Sequence, residues 1–177
     1  LLVHGKPGSG KTMLGKAIVR ECNQALRGAG KAQVPVLMIS MTNAREAKTL
    51  YTRLLAALGC PQPERYSGSD RERLVLKLCR EGTVKLIIVD EIQDILNTTP
   101  RQQRIALDTL KFLMNELSVP LLVLGIHGAK QALEVDVHLA ARFAFEELPT
   151  WQMDNDLMEL LTTLEKGLPL KTPSNLV

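Results

Sequence analysis

Gly5-Lys6-Pro7-Gly8-Ser9-Gly10-Lys11-Thr12 is the stretch that decides the fold. It follows the spacing G-x-x-x-x-G-K-T, whose glycines let successive backbone N–H groups turn toward one point. The residues before it, 1–4, are apolar and read as a strand, and those after it, 11–26, read as a helix. A strand, a glycine-rich turn and a helix in that order aim the positive end of the helix at the converging amides, forming an anion nest. Lys11 adds an ammonium group and Thr12 a hydroxyl. That donor set suits a nucleotide triphosphate: the ammonium neutralises β- and γ-phosphate charge, and the hydroxyl ligates Mg²⁺. The sequence thus predicts that ATP, with Mg²⁺, sits on Gly5, Lys6, Pro7, Gly8, Ser9, Gly10, Lys11 and Thr12, against the alternative of a chance glycine-rich turn.

Four more apolar runs follow, at 34–39, 84–89, 119–124 and 143–148. The middle three of the five are nearly continuous Val, Ile and Leu, as in parallel strands covered on both faces. Amphipathic stretches separate them. Ala47, Leu50, Tyr51, Leu54 and Leu58 recur at helical spacing. Ser69 and Glu72 match a capping box, placing another helix start at Ser69. Thr99 as cap, Pro100 at the first helical position and Gln102 completing a box start the next, with Ala106, Leu110, Leu113, Met114 and Leu117 as its buried stripe. The segment 61–69 reads as a polar loop. Alternation of this kind predicts an α/β domain: a parallel five-stranded sheet flanked by helices, of the P-loop NTPase class.

Leu86-Ile87-Ile88-Val89-Asp90-Glu91 supplies a second half of the site. An apolar strand delivers two adjacent carboxylates to its carboxyl end, where such sheets bind ligands. Asp90 is expected to hold the Mg²⁺ water shell. Glu91 is expected to orient and activate the attacking water as general base. Solvated turn residues are the alternative. With both motifs the expected reaction is ATP hydrolysis, whereas the glycine-rich loop alone would imply binding only.

The chain has 177 residues, 45% of them apolar and 23% charged, which is ordinary for a globular chain. Aromatics reach only 3%, so the core must be aliphatic. A net charge of +3 is too small to imply a nucleic-acid partner by itself, so any such contact would be local. Cys22, Cys60 and Cys79 form no C-x-x-C pair, which implies neither zinc nor disulfides and fits a reducing cytoplasm. No apolar run approaches the ~20 residues that span a bilayer, so no membrane partner is expected. Leu148-Pro149-Thr150 reads as a boundary: residues 1–149 as the nucleotide-binding domain, and 150–177, with one amphipathic helix at 154–166, as the truncated start of a small helical lid. An opening Leu1 and a proline-containing tail are expected of a piece of a longer protein.

Asp90-Glu91-Ile92-Gln93-Asp94-Ile95-Leu96, Thr99-Pro100-Arg101-Gln102-Gln103-Arg104 and Leu110-Lys111-Phe112-Leu113-Met114-Asn115-Glu116-Leu117 together resemble the TniB family. So does Leu139-Ala140-Ala141-Arg142-Phe143 followed by Glu147-Leu148-Pro149 and Trp151. The likeness covers nearly the whole chain, and its discriminating blocks are Thr99 to Arg104 and Arg142 to Trp151. TniB proteins are AAA+ ATPases of transposons, similar to TnsC and MuB. The resemblance implies ATP-dependent homo-oligomers, rings or filaments, on double-stranded DNA. It implies recruitment or regulation of a transposase and accessory transposition proteins, with hydrolysis resetting the assembly in DNA recombination.

The resemblance also assigns residues. Arg142 matches the family's arginine finger, whose guanidinium from a neighbouring subunit stabilises transition-state charge; a surface arginine capping a helix end is the alternative. Basic residues on the second helix (Arg45, Lys48, Arg53) and after the acid pair (Arg101, Arg104) match DNA-facing positions. They would contact phosphates without reading bases, so binding would be nonspecific and salt-sensitive. One departure stands out: Ile126 occupies the end of the fourth strand, where relatives commonly carry Thr. An Ile side chain cannot hydrogen-bond water or phosphate, so His127 substitutes or the polar sensor is lost. A second sensor arginine is not identifiable in the tail. Trp151 is expected to pack the hinge. A replication-type AAA+ loader or initiator shares the generic motifs, and an ATP-binding switch with little hydrolysis is the reading that the apolar sensor position favours.

Overall fold

The computed structural model describes residues 1–27 and 35–167. The chain runs β1 (Leu2–His4), α1 (Lys11–Arg27), β2 (Val36–Ser40), α2 (Ala47–Ala57), α3 (Gly68–Glu81), β3 (Leu86–Asp90), α4 (Pro100–Leu117), β4 (Leu121–Gly125), α5 (Gly128–Glu134), α6 (Val137–Ala140), β5 (Phe145–Glu147) and α7 (Asn155–Gly167). Two 3₁₀ turns, Pro63–Arg65 and Ile92–Asn97, interrupt the connections. Val34, the expected first residue of the second strand, and the proline-containing tail lie outside the described residues.

All five strands are parallel, in the order β2-β3-β4-β1-β5. This is the five-stranded α/β sheet that the sequence predicts. Its register fixes the site. His4 at the end of β1 pairs with Gly125 on one side and Glu147 on the other, so the loop after β1 emerges between the ends of β4 and β5. One strand further, β3 ends at Asp90. The acid pair and the glycine-rich loop therefore share the carboxyl edge of the sheet.

Strand side chains alternate between two layers. Ile87 and Val89 face the larger core with Leu50, Leu54, Leu110 and Leu133 from the helices behind. Val3, Ile88, Leu122 and Leu124 face the other side, against Ile18 and Val19 of α1. The core is aliphatic, as 3% aromatics require; Tyr51 and Phe143 are the aromatic members of the larger cluster. Leu54 is fully buried, so Leu54→Ala would cost about 2–5 kcal/mol in lost transfer energy and cavity.

The capping box of α4 forms as read: Thr99 Oγ1 accepts the Gln102 N–H, and Gln102 Oε1 accepts the Thr99 N–H at 3.1 Å. Its buried face is Ala106, Leu107, Thr109, Leu110 and Leu113, with Met114 and Leu117 only partly covered. The start of α3 differs from expectation. Ser67, not Ser69, is the cap and accepts the Asp70 N–H at 3.2 Å. Ser69 lies inside the helix that Ser67 caps, and Glu72 accepts the Tyr51 hydroxyl at 2.8 Å. Strands three and four begin two residues later than their apolar runs. Val84 and Val119 are buried but precede the ladder, and burial without strand pairing is invisible to hydrophobicity. No described helix is long and apolar enough to cross a membrane. None of α7 is buried.

Candidate functional site

The loop from Gly5 to Gly10 needs two positions that only glycine occupies freely: Gly8 at φ 81° and Gly10 at φ 89°. Lys11 opens α1, yet its side chain is 7% exposed and doubles back onto the loop. Its Nζ donates to Gly5 O at 3.1 Å, Lys6 O at 2.7 Å and Ser9 Oγ at 2.8 Å. All three ammonium donors thus meet oxygens of the loop, which holds the charge over the same concavity toward which the amides turn.

Thr12, one position into the helix, donates its hydroxyl to Asp90 Oδ2 at 2.8 Å. Asp90 is 5% exposed, and its other oxygen accepts the Glu91 N–H at 3.0 Å. These are the two residues named from sequence as metal ligands, and the fold brings them into contact across 78 positions of chain. The donor set fits Mg²⁺. It offers one hydroxyl and one carboxylate, hard oxygens, with no cluster of three or more His, Cys, Asp or Glu among the described residues. A small cation that retains waters and completes its shell from substrate phosphate is held in that way.

Glu91 follows the strand with φ 56° and ψ 41°, the left-handed region that non-glycine residues rarely enter. A cleft of about 490 Å³ is lined by Gly8, Gly10, Lys11, Thr12, Glu91 and Ile126, among others. It brings together the ammonium, the hydroxyl and the second carboxylate named from sequence. On the other flank of the loop a cleft of about 320 Å³ is walled by Ser9, Leu148, Pro149 and Trp151. Trp151 is half exposed there rather than packed into a hinge. At the sensor position Ile126 lines the phosphate-side cleft. His127 is exposed, and its ring lies 6.5 Å from that of His4.

Arg142 lies just past α6, exposed, with Nη1 donating to Asn115 Oδ1 of α4 at 2.8 Å. The basic residues divide. Arg101 and Arg104 are exposed on the first turns of α4. Lys48 is exposed on α2 and paired with Glu46 at 2.8 Å. Arg45 is exposed but precedes α2 instead of lying on it, because the helix starts only at Ala47. Arg53 is on α2, but its guanidinium donates to the backbone carbonyls of Ser40 and Thr42. That pins the loop after β2 and turns Arg53 away from a free surface role. Sequence reading missed Gln93, whose Nε2 donates to Glu91 Oε2. Nothing marks it until the turn after Glu91 is seen to fold back.

The family profile described as bacterial TniB protein matches residues 1–153. No curated protein sequence matches the chain. Among solved structures, the ORC2 protein of Aeropyrum pernix, in ADPNP and ADP complexes, is similar at 20% identity and a TM-score of 0.68, over 93% of this chain and 45% of that one. The ORC1 protein of Aeropyrum pernix in complex with DNA gives 18% identity and 0.66, over 94% and 43%. Cdc6p of Pyrobaculum aerophilum gives 18% and 0.59, over 90% and 41%. The chain thus spans less than half the length of each, and identities this low establish the fold alone: an AAA+ P-loop ATPase fold.

Proposed function

This chain belongs to the TniB family, and from that premise we propose that it is the ATP-hydrolysing core of a transposition protein that assembles on duplex DNA and recruits or regulates a transposase. The carrying observation is the convergence of Lys11, Thr12, Asp90 and Glu91 at one edge of the sheet, with Thr12 bonded to Asp90 at 2.8 Å. In this reading the amides of Gly5 to Thr12 seat the triphosphate, and the Lys11 ammonium exchanges a loop carbonyl for β- and γ-phosphate oxygens. Thr12 and Asp90 would hold Mg²⁺, which supplies neutralisation of charge shared between the phosphates. The Glu91 carboxylate takes a proton from the attacking water at its free oxygen. The cleft beside Ser9, Leu148, Pro149 and Trp151 offers apolar walls for the base. Helix α7 (Asn155–Gly167) would begin the lid over it.

Arg142 reaches the γ-phosphate of a neighbouring subunit, which makes hydrolysis depend on assembly. Arg45, Lys48, Arg101 and Arg104 contact DNA phosphates; Arg53 takes part only by shaping its loop. The protein acts in the cytoplasm. A relative in fold, the ORC1 protein in complex with DNA, supports DNA as a partner. The test is ATP turnover with and without long duplex, together with electron microscopy. ATP-dependent rings or filaments and DNA-stimulated turnover are expected. A chain that stays monomeric with ATP and duplex sinks the reading. The apolar side chain of Ile126 favours the second reading, a nucleotide switch that hardly hydrolyses. Single-turnover rates equal in the natural chain and Glu91→Gln would establish that instead.

A further inference from the structure

The strand β4 ends with no polar side chain to offer the site, yet it is wired to Glu91. Immediately after Glu91 the left-handed backbone drops the chain into the turn Ile92–Asn97, which returns position 93 toward position 91. There Gln93 Nε2 donates to Glu91 Oε2, and the same side chain's Oε1 accepts the Ile126 N–H at 3.1 Å. The orientation of the amide is forced. An ionised carboxylate only accepts and a backbone N–H only donates, so the flipped amide would satisfy neither. Gly125 is what lets the carboxamide in: a Cβ on it would stand 2.6 Å from Gln93 Oε1.

We propose that Gln93 is the positioning residue for Glu91, and that through it the main chain of Ile126 does the work that a polar side chain at the end of β4 would otherwise do. The inference rests on Glu91 being the general base. One carboxylate oxygen is held by the amide, leaving the other to face the attacking water. Movement at the end of β4 moves Oε1, and with it the carboxylate. An apolar Ile126 is then compatible with turnover, because its contribution is an N–H.

The experiment compares single-turnover hydrolysis and nucleotide affinity in Gln93→Met, which keeps length and removes both bonds, with Glu91→Gln and with the pair. Gln93→Met is expected to slow the chemical step about a hundredfold, the order lost when a catalytic group is misplaced by an ångström, with affinity for Mg²⁺-ATP within about twofold. The double variant should be no slower than Glu91→Gln, because a residue acting through Glu91 adds nothing once Glu91 is gone. Ile126→Thr in the Gln93→Met background should recover about tenfold, by giving β4 a side chain that reaches the same carboxylate. Hydrogen exchange at the Ile126 amide, which needs no hydrolysis, should quicken in Gln93→Met. If Glu91→Gln is inactive while Gln93→Met keeps its rate, or if the two losses add, the proposal alone is overturned. Should Glu91→Gln hydrolyse normally, the general-base assignment falls and the proposal with it.

Discussion

Arg142 Nη1 donates to Asn115 Oδ1 at 2.8 Å, linking an exposed guanidinium past α6 to the last turn of α4. The same helix grips the start of α6, where Lys111 pairs with Asp136, the residue that caps it. Two contacts four residues apart on α4 therefore set the direction in which Arg142 leaves the surface. If Arg142 serves a neighbouring site, Arg142→Ala should lower turnover by about 10³ or more while leaving nucleotide affinity intact. Mixing it with Lys11→Ala subunits should restore activity at interfaces that pair an intact arginine with an intact loop. No recovery on mixing would mean that the arginine does not act between subunits. Asn115→Ala, a change at an exposed position, should shift stability by less than about 0.5 kcal/mol and reduce turnover far less than Arg142→Ala.

Lys11 is buried on three oxygens of its own loop. Its removal takes away charge-assisted bonds worth about 1.5–3 kcal/mol each and deprives the Gly5 carbonyl of its donor, while the Lys6 carbonyl keeps the Ser9 N–H and hydroxyl. Lys11→Ala should therefore melt earlier even without nucleotide. The decisive measurement is the rise in melting temperature on adding Mg²⁺-ATP. At a hundredfold excess over Kd a ligand adds about 2.7 kcal/mol, or about 5–10 °C for a domain of this size. That rise should vanish in Lys11→Ala. A full rise in the variant would mean that the ligand sits elsewhere.

How far the sequence carries the fold is visible in single residues. Thr99, Pro100 and Gln102 are read as a helix start and form one, because all the partners of a capping box lie within one turn. Ser69 fails because Ser67, two residues earlier, caps the helix, while the expected partner Glu72 accepts from Tyr51, 21 positions away, a contact that no local pattern reports. The phosphate loop and the acid pair are legible since their chemistry is fixed by spacing along the chain. Arg53 and Gln93 are not, because each takes its role from a loop that folds back onto it.

Gly125 sits where three elements meet, and a Cβ there would lie 2.6 Å from both Ala129 Cβ and Gln93 Oε1, and 3.1 Å from Ile92 Cγ2. Ala129 Cβ is fixed to the backbone of α5 and cannot yield without moving the helix, and the Gln93 carboxamide can yield only by shifting away from Glu91. Gly125→Ala should cost about 1–3 kcal/mol as overpacking, seen as a melting point lower by about 2–12 °C. It should also slow hydrolysis more than binding, because the displaced amide is the one on Glu91. A variant as stable and active as the natural chain would contradict this packing.

Lys111 stands between Asp136 and Asp108, with Nζ 2.5 Å and 3.1 Å from them. The hydrogen bond from Lys111, aided by the Leu139 N–H, holds the Asp136 carboxyl below its usual value, and the bonds to the two aspartates raise Lys111. A lowered folded-state carboxyl contributes stability that is present above its unfolded value of 3.8 and is lost as pH falls through the folded value. A raised lysine contributes below 10.5 and fades above it. Asp136→Asn keeps a good cap but removes the charge. Its melting-point deficit relative to the natural chain should be full near neutrality and shrink below about pH 4. A deficit that stays constant through acid would show that the pair contributes nothing.

Cys79 is 2% exposed within the larger core, and burial pushes its thiol up to about 11, whereas Cys22 is exposed on α1. Only a thiolate attacks a disulfide reagent, and it must first be reached. Near neutral pH Cys22 should therefore react quickly, while Cys79 reacts only through opening of the core. Its rate should then track the stability of the fold rather than the concentration of hydroxide alone. Leu54→Ala, which weakens the same cluster, should accelerate labelling of Cys79 and leave Cys22 unchanged. Equal rates at the two cysteines in the natural chain would place Cys79 outside the core, and the packing of α3 against α2 and α4 with it.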